Sequence, residues 1–176
     1  MRSTLILMLL LAACRPPSAE ETRAEAASLR ASLERHRGQY LKSIEAENLL
    51  VRETLAWLNG GLESRNRGLL RSEAGRFMEK WARVYFVPRE MHAAIRESRF
   101  RSETVREAHQ RVLDHLKKRY FELHDFQRYA QYTNEAAESS MPLGRMPDRL
   151  AEFRTRLEGR PDARDEITGA LETLGL

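Results

Sequence analysis

The feature that most constrains the fold of this chain is a long stretch without helix-breaking residues. Residues 89–141 contain neither glycine nor proline. Apolar residues recur there at intervals of three, four or seven positions, which places them on one face of an α-helix: Val105, Val112, Leu116 and Leu123. Such a helix cannot bury its apolar stripe within itself, so it must pack against another helix or another chain. The sequence therefore predicts an all-α fold.

Two further helical patterns precede this stretch. One runs over residues 20–58 and ends at the Asn-Gly-Gly triplet 59–61, whose residues tolerate the left-handed conformation found after helix C termini. A shorter one covers residues 69–86. We expect it to end just before Pro88, because the residue preceding a proline avoids the α region and proline suits the first position of a new helix. The predicted architecture is an elongated antiparallel helical hairpin or bundle of two long helices, with a short intervening helix and a small helical C-terminal tail.

The amino terminus has the composition of a secretory signal. Met1-Arg2 supplies positive charge, and the nine residues from Leu5 to Ala13 are all apolar. As a helix they would extend about 14 Å, against about 30 Å of hydrocarbon in a bilayer. The segment is therefore too short to span a membrane, and a cleaved signal peptide is the better interpretation.

The residues Leu11-Ala12-Ala13-Cys14 resemble the lipobox of bacterial lipoprotein precursors. The resemblance covers the first 14 residues and implies a mode of anchoring rather than a fold or an activity. It implies that Cys14 is acylated on sulfur, becomes the first residue after cleavage and is acylated again on its amino group. Arg15 stands where an aspartate would resemble an inner-membrane retention signal. The resemblance therefore implies an outer-membrane lipoprotein that faces the periplasm, held in the lipid bilayer through acylated Cys14.

Composition divides the chain into five segments. A Ser-, Pro- and Gly-containing stretch separates the long helices from the tail, and two prolines follow Cys14. The segments are the signal peptide 1–13, a lipidated tether 14–22, a long-helix bundle 23–138, a linker 139–147 and a short helical tail 148–176.

Charge is distributed unevenly along the chain, although the whole carries only +4. Residues 65–89 contain seven basic and two acidic residues, whereas residues 134–176 contain six basic and nine acidic ones. The basic middle could meet an anionic surface, and the acidic tail could meet that middle in its own or a neighbouring molecule. We expect no nucleic-acid partner, because the predicted compartment holds almost none.

Aromatic residues on two helices form a candidate partner surface. In the 69–86 helix they either lie on lipid headgroups or pack onto the long helices, and the unpartnered stripes of those helices favour packing. In the last long helix the aromatic residues wind too widely for one core seam, which suits an exposed surface for an envelope protein partner. The candidate residues are Phe77, Trp81, Tyr85, Tyr120, Phe126, Tyr129 and Tyr132.

The motifs of several enzyme classes are missing from the sequence. One cysteine cannot form an internal disulfide or a cysteine-based metal site. No two of the five histidines are four residues apart, and none follows a glutamate by three, so the common zinc and di-iron signatures are absent. There is also no G-x-S-x-G elbow and no glycine-rich phosphate loop. We therefore predict no cofactor, no metal and no enzymatic activity.

The predicted function is that of a membrane-anchored envelope lipoprotein, acting as a helical binding or scaffolding adaptor in the periplasm. One alternative is a helical carrier or chaperone-like module that binds an apolar ligand or an unfolded chain, in a groove formed by Trp81 and the aromatic residues from Tyr120 to Tyr132. A second is a periplasmic enzyme that uses a histidine–glutamate site across helices, built from His36, His109 or His115. Self-association through the last long helix also remains open.

Overall fold

The computed structural model describes residues 15–60, 66–138 and 146–172 of the chain. Their regular secondary structure is α-helical throughout, and the prediction of an all-α bundle is confirmed. Cys14, the signal peptide and most of the predicted linker lie outside the described residues. The helices are α1 (Ala19–Asn59), α2 (Arg67–Ile95), α3 (Glu103–Glu138), α4 (Met146–Glu158) and α5 (Glu166–Glu172).

Helix α1 begins at a capping box. The Ser18 hydroxyl accepts a hydrogen bond from the Glu21 backbone N–H, and the Glu21 carboxylate accepts one from the Ser18 N–H at 2.6 Å. These bonds satisfy two donors that a helix start leaves free. Since the helix starts at Ala19, it includes the last four of the nine residues 14–22 that the sequence assigned to the tether. That boundary was wrong.

The predicted helix break at Pro88 was also wrong. Pro88 lies inside α2, which continues to Ile95. A proline in a helix interior removes one hydrogen bond and costs about 3 kcal/mol in an isolated helix. Here the proline ring is buried in line with Val84, Met91 and Ile95 on the face that packs against the rest of the bundle. Tertiary packing therefore overrides the local preference.

The chain reverses direction at residues 96–102 instead. The carboxylate of Glu25 in α1 accepts hydrogen bonds from the backbone N–H groups of Arg101 at 2.9 Å and Ser102 at 2.8 Å, just before α3 begins. As a result α2 and α3 form the antiparallel hairpin and share the most extensive helix contact in the molecule. We had predicted that the hairpin would join the first and last long helices.

The core consists of two groups of buried side chains. One surrounds Trp81, Leu58 and Leu123; the other surrounds Tyr40, Met91 and Leu116. None of the helices that the structure describes combines enough length with enough apolar character to traverse a lipid bilayer.

The two tail helices are short, as predicted, and dock on the long helices. Helix α4 contacts both α1 and α3, and α5 contacts α3. Phe153, Leu157 and Ile167 supply the buried apolar contacts. The tail therefore fills space beside the hairpin and creates two concave sites on helix α3.

Candidate functional site

Three of the seven predicted partner-surface residues belong to the core. Phe77, Trp81 and Phe126 are buried. The Phe77 ring lies 4.8 Å from that of Trp57, and the Trp81 ring lies 5.1 Å from that of Phe126. The prediction that these three residues form a surface was wrong. Helices α1 and α3 pack over the aromatic stripe of α2 and bury it.

Tyr85 and Tyr120 instead reach the surface, where they form what we call the hairpin face together with Phe86 and Phe121. The two phenylalanines are 45 % and 53 % exposed. The Tyr85 and Tyr120 rings meet edge to face at 6.3 Å across the α2–α3 seam, and the Tyr120 and Phe121 rings lie 4.8 Å apart. Phe86 and Phe121 were not among the predicted site residues, although the aromatic pairs Tyr85-Phe86 and Tyr120-Phe121 in the sequence could have indicated them.

The hairpin face is basic as well as aromatic. The guanidinium of Arg89 lies 5.7 Å from the centre of the Tyr85 ring and 5.6 Å from that of Phe86, within the range of cation–π attraction. His92 packs on the Tyr120 ring at 5.5 Å. Burial, with the positive charge of Arg96 beside it, lowers the pKa of His92.

Tyr129 and Tyr132 lie on a different side of α3, in a groove against α4 that we call the tyrosine groove. Its cavity volume is about 310 Å³. The Tyr129 ring stacks on Phe153 with ring centres 5.0 Å apart, and its hydroxyl donates to the Glu152 carboxylate at 2.5 Å. Burial and that hydrogen bond raise the pKa of Tyr129 to about 12.

Arginine side chains form the rim of the tyrosine groove. Arg156 lies 5.6 Å from the Tyr129 ring centre and Arg149 lies 5.7 Å from that of Tyr132. Both arginine side chains are more than half exposed, and in the described part of the chain they pair with the partly exposed carboxylates of Asp125 and Glu152. The groove thus has two tyrosine rings at its base and long arginine side chains at its rim. Tyrosine and arginine are enriched in protein-binding surfaces.

A buried charge cluster lies between α1, α3 and the tail. The carboxylate of Glu47 is fully buried; one oxygen accepts from Arg119 and the other accepts from Arg160 at 2.5 Å. Arg160 also pairs with Glu122 at 3.2 Å. Burial raises the pKa of Glu47 above its usual value, and Arg119 and Arg160 offset part of that rise. With both oxygens bound by guanidinium groups, Glu47 is a carboxylate in the folded protein.

Next to this cluster, a chain of hydrogen bonds joins three helices. The Tyr40 hydroxyl lies 2.8 Å from Nε2 of His115, and Nδ1 of His115 lies 2.5 Å from the Glu166 carboxylate. A neutral His115 donates from Nδ1 and accepts at Nε2, so both ring nitrogens are occupied. Although His115 and Glu166 border a cleft of about 480 Å³, no nitrogen is free to take a proton from a ligand. The arrangement ties α1, α3 and α5 together.

The three histidines of the enzyme hypothesis lie in separate surroundings. His109 is buried, with Nε2 2.9 Å from the Ile95 carbonyl oxygen, and its ring meets Phe100 edge to face. His36 is half-buried on α1 and His115 makes the bonds described above. Within residues 15–60, 66–138 and 146–172, no group of three or more His, Cys, Asp or Glu side chains has a metal-binding arrangement.

The chain matches no protein-family model, and comparisons with curated proteins and with solved structures find no match either. Its function must therefore be inferred from its own residues. The described part offers two surfaces with the chemistry of recognition, the hairpin face and the tyrosine groove.

Proposed function

We propose that this protein is a lipid-anchored adaptor of the bacterial cell envelope that binds a protein partner in its tyrosine groove. The lipobox-like residues 11–14 support the anchor and its periplasmic side. The observation that carries the adaptor role is the groove itself, where two tyrosine rings lie under the exposed guanidinium groups of Arg149 and Arg156. Tyrosine and arginine are the side chains that most often dominate protein–protein binding energy.

The shape of the bundle supports an adaptor over the alternative functions. A carrier groove at Trp81 has no support, because Trp81 is completely buried. An enzyme built on His115 has little support, because both of its ring nitrogens are bound within the protein. A rigid helical body with a surface groove suits a binding role, and membrane anchoring would raise the local concentration of a partner in the same envelope.

The proposal is tested by crosslinking in native envelopes. A photoreactive amino acid placed at Arg128, an exposed residue that also lines the groove, is expected to capture one dominant envelope protein. Changing Tyr132 to alanine should reduce that crosslink about tenfold or more, the loss typical of a central aromatic contact. Tyr132 is preferred to Tyr129 because the Tyr129 ring also supports Phe153 in the core.

The matched control is Leu49→Ala, which removes a 53 % exposed apolar side chain from α1. It should leave the crosslink unchanged. If the Tyr132→Ala protein is captured as strongly as the wild type, or if the probe at Arg128 meets only lipid, the adaptor role of the groove is refuted.

A further inference from the structure

Along part of the α2–α3 seam, from Met78 to Arg96 on α2 and from Leu113 to Gln131 on α3, the outward positions contain no acidic residue. These positions recur every three or four residues along both helices, and the structure leaves them half-buried or exposed. The chain has 26 acidic residues, yet this stripe carries only aromatic, basic, aliphatic and amide side chains. The positions are Met78, Ala82, Tyr85, Arg89, His92 and Arg96 on α2, and Leu113, Lys117, Tyr120, His124, Gln127 and Gln131 on α3.

We propose that the hairpin face rests on an anionic phospholipid surface, as a second membrane contact beside the acyl anchor. Phe86 and Phe121 project from the stripe and are the apolar groups that would enter the interface. Arg89 and Lys117 flank them and would meet lipid phosphates. Aromatic rings with a polar edge and long basic side chains are the residues that settle at the boundary between headgroups and acyl chains.

The position of Arg15, the residue after Cys14 in the sequence, favours lipid as the occupant. Its backbone carbonyl accepts a hydrogen bond from the Arg101 guanidinium at 2.8 Å, which places Arg15 beside the turn between α2 and α3. Measured from the start of α3 at that turn, Tyr120 lies about 26 Å along the helix. An acylated Cys14 would therefore hold the hairpin face within reach of the bilayer.

This inference rests on the proposed anchor for proximity, and the experiment separates the two. Since acylation would consume Cys14, which is the one cysteine of the sequence, Phe121→Cys provides a single site for a nitrobenzoxadiazole label in the acylated full chain. The protein is reconstituted into vesicles of phosphatidylethanolamine and phosphatidylglycerol that contain a spin-labelled lipid as quencher. Leu49→Cys, on a residue that is also 53 % exposed but lies on α1, is the matched control.

We expect the label at residue 121 to shift to the blue and to be quenched by lipid, and the label at residue 49 to remain in water. Replacing Arg89 and Lys117 by glutamine should weaken the contact at residue 121 by about fivefold per charge. Vesicles of phosphatidylcholine alone should weaken it similarly. If residue 121 is no more quenched than residue 49, the proposal is overturned.

A second arm uses the full chain with Cys14→Ser and Phe121→Cys, added to the same vesicles. It decides the proposal even if the anchor is absent, because the hairpin face should still contact anionic vesicles more than Leu49 does. Failure of the anchor appears separately, because an unacylated Cys14 would take up a second label in the Leu49→Cys protein. If residue 121 is shielded in native envelopes but not on vesicles, an acidic protein is the occupant and the lipid proposal is wrong.

Discussion

At the scale of single residues, Glu47 joins the tail to the long helices through a buried charge cluster. Its carboxylate is bound by Arg119 of α3 and by Arg160 of the segment after α4. Such a cluster is costly to desolvate, and it is more costly to break, since removal of one charge leaves its partners buried without compensation.

We expect Glu47→Gln to lower the free energy of unfolding by about 3–5 kcal/mol, because two largely buried arginines lose their shared carboxylate. The same substitution at Glu53, which pairs with Lys80 at 2.5 Å on the surface of α1 and α2, should cost at most about 1 kcal/mol. Urea unfolding followed by the fluorescence of Trp57 and Trp81 measures both. Equal effects of the two substitutions would contradict the importance of the buried cluster.

His115 gives the protein a pH-dependent contribution to stability. Burial lowers its pKa below the usual 6.5, against the raising effect of Glu166, so the unfolded chain takes up a proton at a higher pH than the folded one. Stability is therefore lost as pH falls through 6.5 toward the lower folded value. Arg119 beside the ring acts in the same direction, while Glu122 opposes it.

The expected result is that the His115→Gln protein loses less stability than the wild type between about pH 8 and about pH 5. Urea unfolding at each pH gives the difference, and comparison with the wild type removes the contributions of His92 and Glu47. A larger loss in His115→Gln than in the wild type would show that the folded state favours the protonated ring.

Some of these residues carried a signal in the sequence that we did not use. Glu47 lies three residues from both Ile44 and Leu50, and Arg119 lies between Leu116 and Leu123, so both charged residues occupy positions on apolar stripes. A charge at such a position on each of two packed helices can indicate a buried pair. No sequence pattern linked them to Arg160, because that contact depends on how the tail docks.

At the scale of the helices, the sequence predicted that the described part of the chain is helical better than it predicted helix lengths and boundaries. Apolar spacing correctly placed α1 and a short helical tail, but the intervening helix α2 is long rather than short. The rule that proline starts a helix failed at Pro88, because buried packing on both sides of the proline outweighs one lost hydrogen bond. The turn at residues 96–102 contains no glycine or proline, and its geometry depends on Glu25 from a distant helix.

That dependence can be measured. Glu25→Ala should destabilise the protein by about 1–2 kcal/mol, because two backbone N–H groups before α3 lose a charged acceptor. Hydrogen exchange should become faster at residues 101–106 than elsewhere. Glu45→Ala, an exposed change on the same helix, serves as the control and should alter neither quantity. Unchanged exchange at the turn in Glu25→Ala would contradict the capping role.

At the scale of the whole molecule, the hairpin of α2 and α3 presents a basic aromatic face, and the tail creates the tyrosine groove on another side of α3. Two surfaces on one rigid body suit a protein held at a membrane while it binds a second protein. The sequence predicted a partner surface containing Tyr85, Tyr120, Tyr129 and Tyr132 as one set, and the structure divides these residues between the two sites. Periodicity alone could not make that division, because it depends on where α4 packs.

The central claim is that the protein is anchored by lipid at Cys14, and the most direct test is the intact mass of the protein purified from bacterial envelopes. We predict a chain that begins at Cys14 and carries acyl groups on both the sulfur and the amino group, and a Cys14→Ser protein that lacks them and leaves the membrane fraction. A chain that starts elsewhere, or one that keeps an unmodified Cys14 thiol, would contradict the account.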